Sequence, residues 1–334
     1  MNSQENKITF NRFKRKTLHI LYLLTKHTFL NIDQIRNKKL TKVILKTDQV
    51  YDERLIKGHE YRILCLVQLN ENKIVSAGND NLIKIWDLVE GTCCMTLEKH
   101  SSSVKFLLRL SYNTIASSCG NNILVWDVLK GTCTREIKNP SICILCLFRY
   151  NSNLIFIGSK HCTITIVDCS DGTKNDKVID FNYIDISTYS ILKLNKLGDL
   201  AYGTSNGLII RNNGSKIEYL KGHQNSVTSL LKLSNKHIVS GCKNGLMKFW
   251  DIETKNCYRT IKAHDDQIYC LVYLNKSLLT GSIDNKIKIW RVSDGTIKGN
   301  ISSFDSIKCV IKINLKQIAY GYYSSIQVKN IEYI

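Results

Sequence analysis

The hexapeptide Asn81-Leu82-Ile83-Lys84-Ile85-Trp86 returns almost unchanged as Asn285-Lys286-Ile287-Lys288-Ile289-Trp290. Two related stretches lie between them, Asn122-Ile123-Leu124-Val125-Trp126-Asp127 and Gly245-Leu246-Met247-Lys248-Phe249-Trp250-Asp251, and the four segments hold all 4 tryptophans of the chain. Trp86 and Trp126 stand 40 residues apart, as do Trp250 and Trp290, while the 124 from Trp126 to Trp250 is close to three such periods. Self-similarity at a fixed spacing of this length means one supersecondary unit used many times.

The long gap holds two degenerate units. Nine residues after Gly158 of Ile157-Gly158-Ser159 comes Val167-Asp168 where Trp-Asp stands elsewhere, and at the same distance after Gly203 comes Asn212-Asn213. Another unit follows Trp290, with Ala319-Tyr320-Gly321 leading into Ile326 to Asn330 one residue short of the usual spacing. His59, His100, His223 and His264 each precede a β-branched residue by four positions (Ile63, Val104, Val227, Ile268), and His100, Pro140, His264 and Phe304 each fall 14 residues after a Trp or its expected place. Within a unit, short apolar or alternating runs such as Ile63–Leu66, Lys73–Ser76, Leu82–Trp86 and Cys93–Leu97 are separated by turn residues, which reads as four strands per repeat.

These residues resemble the WD-repeat family of β-propellers, over about residues 50 to 334. Counting units gives seven, so the expected fold is an all-β, seven-bladed propeller with four-stranded antiparallel blades. The last unit lacks a fourth strand. Tyr51 to His59 has the form of Cys257 to His264, so residues 50–57 are expected to complete the seventh blade and remove an unpaired edge. The domain reading is a basic, partly helical segment over 1–40 and the propeller over 41–334.

The formal net charge is +19, from 47 Lys and Arg against 28 Asp and Glu. That favours acidic proteins, nucleic acid or acidic lipid headgroups as partners. Lys greatly outnumbers Arg, however, and Arg is the preferred two-point reader of phosphates and bases, so most of this charge reads as solvated surface. Of the 13 cysteines, Cys65, Cys146, Cys270 and Cys309 share one first-strand phase, and Cys93, Cys133 and Cys257 each lie seven residues after a Trp. Repeat-phased cysteines read as small core residues rather than a disulfide framework, and the lone pair Cys143 and Cys146 has metal or redox spacing but no second pair. Reduced thiols imply the cytoplasm or nucleus.

Arg12-Phe13-Lys14-Arg15-Lys16 precedes a short apolar run, too short to span a membrane and without a small-residue cleavage site. A helix over about 16–30 is expected, packed on the propeller or serving as a docking element. The segment lacks the initial Leu-Pro of the F-box that precedes some propellers. No Trp-Asp is followed two residues later by Arg, the docking signature of one cullin ligase class.

The resemblance implies structural hydrogen-bonded tetrads: His59, Ser76, Asp80 and Trp86; His264, Thr280, Asp284 and Trp290; and His223, Ser240, Asn244 and Trp250, weakened by Asn. In the second blade Ala116 and Gly120 are expected where the Ser and Asp would stand. These sets share the composition of a Ser-His-Asp triad, but they recur once per blade and satisfy themselves, so no enzyme activity is expected. No phosphate loop, metal-spaced histidine pair or nucleophile elbow accompanies them, and no cofactor is expected. The implied function is a protein-protein interaction scaffold or adaptor, one form being a ubiquitin-ligase substrate receptor. The alternative is a polyanion binder. In the family the narrow face carries the loop before each first strand and the turn between second and third strands. The candidate partner-binding residues are therefore Tyr61, Arg62, Ser103, Asn225, Ser226, Asp266 and Gln267, with Asn79, Lys160, Lys243 and Ile283 from the second turn.

Overall fold

The computed structural model describes residues 53–138, 143–160, 163–178 and 186–331. The expected helix over 16–30, its basic flank, residues 50–52 and Pro140 lie outside them. Among the described residues the chain forms seven four-stranded antiparallel sheets. The first blade sets the pattern: Ile63–Gln68, Lys73–Gly78, Ile83–Asp87 and Cys93–Leu97, each strand paired with the next. The first strands stand side by side around a central channel, from Ile63–Gln68 through Val104–Arg109 and on to Val310–Lys312, which neighbours Ile63–Gln68 again and closes the ring.

The seventh blade is built from both ends of the chain. Val310–Lys312, Gln317–Tyr322 and Ser325–Asn330 are completed by Arg54–Lys57, with Arg54 opposite Val328 and Lys57 opposite Ser325. Glu53 extends the joint by accepting the Asn330 amide at 2.9 Å. A strand edge that would otherwise expose unpaired amides is thereby covered.

Each sheet is buried on both faces by its neighbours, which is why second strands such as Lys73–Gly78 and Ser277–Ser282 read as nearly unbroken buried runs. The core is a series of layers between blades. One joins Ile56, Ile63, Leu66 and Trp86 to Ala319, Ile326 and Val328 across the closure. All four tryptophans are buried, with exposures of 0 to 6%. Gly58 shows why glycine precedes histidine: its φ is +153°, and a Cβ there would meet Trp86 Cη2 at 2.7 Å. The Asp that follows Trp organises the turn to the outer strand. Asp87, Asp127 and Asp251 each accept two successive backbone amides at 2.7 to 3.1 Å, an Asx turn rather than a catalytic carboxylate.

The seventh blade departs from the pattern in register. In the first blade Ile74 pairs with Trp86, and the equivalent pair in the seventh is Ile318 with Lys329. A lysine thus holds the tryptophan place, and the histidine that would hydrogen-bond through it has no role there.

Candidate functional site

The loop before each first strand and the turn between second and third strands lie on one face of the ring. The hydrogen bonds of the tetrads tie them together. In the first blade Trp86 Nε1 donates to Ser76 Oγ at 2.7 Å, Ser76 Oγ lies 2.6 Å from His59 Nε2, and His59 Nδ1 lies 2.5 Å from Asp80 Oδ2. The sixth blade repeats this with Trp290 to Thr280 at 3.0 Å, Thr280 to His264 at 2.6 Å and His264 Nδ1 to Asp284 at 2.8 Å. Read from tryptophan to aspartate, every hydrogen has an acceptor if Nδ1 carries the imidazole proton. The hydroxyl is fully buried and already accepts from indole, so it is no nucleophile.

Burial drives the His264 pKa down, against the opposing pull of Asp284. Burial works to raise the Asp284 carboxyl, but the His264 hydrogen bond and charge, with the amides of Asp265 and Lys286, leave it below its ordinary value.

The fifth blade differs from expectation. His223 Nε2 lies 2.6 Å from Ser240 Oγ and Trp250 donates to the same oxygen at 2.8 Å. Asn244, however, turns its Oδ1 to the Cys242 thiol at 2.6 Å, and His223 Nδ1 is buried without a partner. The His223 pKa is lowered to about 4 by burial, helped by Lys248.

The second blade needs a correction. Ser117, not Ala116, bridges His100 Nε2 at 2.7 Å and Trp126 Nε1 at 2.8 Å. The reason is a shorter turn. Cys119 pairs directly with Asn122 around Gly120 at φ +56°, so one residue is missing from the loop and the count back from Trp126 shifts by one.

The candidate contact residues are distributed over this face. Tyr61 is 57% exposed, and Asn79, Lys160, Asn225, Lys243 and Asp266 are exposed as well. Ser103, Gln267 and Ile283 are half-buried. Two are committed internally. Arg62 forms a two-point ion pair with Asp305, and Ser226 Oγ donates to the Ser205 carbonyl at 3.0 Å. Two exposed aromatics beside Tyr61 were missed by the sequence reading of the face. Phe304, in the histidine place of the seventh blade, is 94% exposed, and Tyr323, in its second turn at φ +48°, is 54% exposed. The Tyr323 carbonyl accepts the Ile63 amide at 2.7 Å, and Phe304 adjoins Asp305, so both belong to the joint between the last and first blades. The signal for Phe304 was the absence of a tryptophan from its blade.

Below this face residues from all seven blades line the channel. In five first strands the pairing register slips at one point, between Ile63 and Cys65, Val104 and Phe106, Thr188 and Ser190, Val227 and Ser229, and Ile268 and Cys270. The skipped residues are Leu64, Lys105, Tyr189, Thr228 and Tyr269, and all five line the channel together with Leu145 and Lys308. A β-bulge re-aims a side chain, and here it aims one inward from each of these five strands.

The next position packs between blades. Cys146, Cys270 and Cys309 sit there against Gly158, Gly281 and Gly321, where a Cβ would come within 2.4 to 2.9 Å of sulfur. Burial pushes all three thiols up to about 12, which makes them inert packing groups. The 12 described cysteines are free.

The ring superposes on the WD40 β-propeller domain of Doa1 with a TM-score of 0.72, covering 84% of this chain and 97% of that one at 17% identity, a likeness of fold. Residues 52–87, 214–251 and 255–291 match the WD40 family, described as WD domain, G-beta repeat. The chain is a seven-bladed β-propeller that carries WD40 repeats at those residues. Among curated relatives, this propeller is 30% identical over 101 residues to the APC/C activator protein CDH1 of Saccharomyces cerevisiae, which is 30% of this chain and 18% of that protein. It is 24% identical over 243 residues to the WD repeat-containing protein 55 homolog of Dictyostelium discoideum, which is 71% of this chain and 49% of that protein. The matched region thus spans less than two thirds of either relative's own length. No helix among the described residues of the propeller is long and apolar enough to cross a membrane.

Proposed function

We propose that this propeller is a non-catalytic interaction scaffold or adaptor, and that the face carrying the tetrad histidines binds a peptide or partner domain near the joint of the first and seventh blades. The observation that carries the reading is the exposure of three aromatics there, Tyr61 at 57%, Phe304 at 94% and Tyr323 at 54%. Aromatic anchors beside charged and amide side chains are the composition of binding hot spots. The fixed backbone around them supports the reading, because a rigid surface loses little entropy on binding. Likeness to an activator of the APC/C supports an adaptor role within a multiprotein complex. A ubiquitin-ligase substrate receptor is the narrower form of that role. Free thiols throughout the described core favour a reducing compartment, the cytoplasm or nucleus.

Proximity labelling with mass spectrometry identifies partners. Affinity for a captured partner should then fall about tenfold or more in Tyr61→Ala and in Phe304→Ala, with the melting temperature unchanged. The polyanion reading predicts a different outcome: steep salt dependence, little effect of single loop changes, and weaker binding when Lys14, Arg15 and Lys16 are neutralised together. Unchanged affinity in every variant removes both surfaces.

A further inference from the structure

We propose that the central channel is itself a ligand site, and that it takes a compact anion bearing phosphate groups between Lys105 and Lys308. The site goes beyond the loop face, and its ligand is a small molecule rather than a protein.

In five blades the bulged residue of the first strand lines the channel, and in the third and seventh blades Leu145 and Lys308 line it. Apolar or small residues would suffice if this position only filled space, and Leu64 and Leu145 do so. Lys105 of the second blade and Lys308 of the seventh do not. They enter from the two blades that flank the first, and no carboxylate lines the channel with them. Among the described residues neither lysine has a salt-bridge partner. The Lys308 ammonium instead lies 5.1 Å from the centroid of the Tyr269 ring, a cation-π contact that leaves its donors available. Tyr189 and Tyr269 bring phenol groups to the same wall.

Size and charge define the ligand. The cavity holds about 460 Å³, which is small-molecule size. Seven sheets wall it, so a folded domain has no access. Two unneutralised lysines favour an anion with at least two negative charges, and each phosphate monoester group carries about −1.5 to −2 at neutral pH. A single carboxylate would leave one ammonium unpaired. Lysine is suited to phosphate as a point charge with three donors.

Calorimetry on the full chain with inorganic tripolyphosphate tests this. Wild-type protein should bind one equivalent, more weakly as salt rises. Lys105→Gln and Lys308→Gln should each lose about tenfold in affinity, the double variant should show no binding, and Lys105→Arg should retain it. Lys130→Gln, on an exposed turn, should match wild type. Melting temperatures of all variants without ligand verify that the ring is intact. Soluble inositol 1,4,5-trisphosphate and vesicles carrying the corresponding lipid separate a free ligand from a membrane headgroup. Competition of the soluble headgroup with tripolyphosphate supports the channel. Failure of wild-type protein to bind at millimolar concentration overturns the proposal. So does unchanged binding in the double variant, or vesicle binding that survives the double change.

Discussion

Arg62 Nη2 donates to Asp305 Oδ1 at 2.6 Å and its Nε to Oδ2 at 2.8 Å, a two-point pair between the loop entering the first blade and the loop entering the last. The residues are 243 positions apart in the chain. The pair sits over the joint that Arg54–Lys57 closes from the outer side. An arginine that reads as a free contact residue from its place in the repeat is therefore a clasp. Arg62→Ala should lower stability by about 1 kcal/mol, since the arginine side chain is 37% exposed. Arg62→Glu should cost more by setting two carboxylates together, and adding Asp305→Arg should restore much of the loss. Denaturant midpoints of the two singles and the swap measure this; additive losses in the swap would mean the pair contributes nothing.

Removal of residues 1–57 deletes the strand Arg54–Lys57 and leaves Ser325–Asn330 as an edge. The melting temperature should fall steeply, with aggregation, whereas removal of residues 1–40 should change it little. Equal melting of the two truncations would show that the closing strand is dispensable.

Asp284→Ala leaves the His264 Nδ1 hydrogen without its acceptor in a buried site. The expected cost is about 1–3 kcal/mol. Urea unfolding of the variant reads it directly, and a loss within experimental error would show that water takes the place of the carboxylate.

Asn244→Asp should act in the opposite direction, because His223 Nδ1 already lacks a partner. The sign of the pH effect follows from its pKa. The folded protein holds His223 at about 4, against an ordinary 6.5. The unfolded chain therefore takes up a proton first as pH falls, and stability that is complete above about pH 6.5 declines from there toward pH 4. A carboxylate at 244 reaching Nδ1 raises the folded pKa and flattens this decline. Thermal melts at pH 7 and pH 5 should show a smaller difference for the variant than for wild type; an equal difference means the carboxylate does not reach the ring.

Arg211 is the hub of a partly buried charge cluster in the fourth blade. It contacts Asp199 and Glu218, each at 3.1 Å, with all three side chains at most 20% exposed. Arg211→Ala should destabilise by about 2–3 kcal/mol, because Asp199 loses its cation while Glu218 keeps Lys216 and Lys255. Arg211→Ala combined with Asp199→Asn and Glu218→Gln should recover part of that, as read by denaturant midpoint.

The repeat made the ring legible because hydrophobic burial on both faces of a blade forces the same residue types to recur at the same spacing. Trp86, Trp126, Trp250 and Trp290 mark the period, and the pairing of Arg54–Lys57 followed from the likeness of 51–59 to 257–264. What spacing alone could not supply was the local length of a turn. One residue fewer around Gly120 put Ser117, and not Ala116, in the bridging position. Side-chain choice was equally hidden: nothing in the type of Asn244 says that it prefers the Cys242 thiol to His223. The contact face was the least legible part. Its positions recur with the repeat but their residue types do not, so the phase of Phe304 marked a loop without marking an exposed aromatic, and Arg62 gave no sign of Asp305.

The blade shared by both ends of the chain also orders events during synthesis. Glu53 and its acceptor bond to Asn330 span 277 positions, so the earliest of the described strands waits for the latest of them. Six blades can condense as they emerge, each from local pairing. Until Ser325–Asn330 emerge, the early strand remains an unpaired edge able to seek other chains. A ribosome that stops short of Ser325 would thus release a nearly whole ring with no latch, a product fit for proteolysis rather than for partial function.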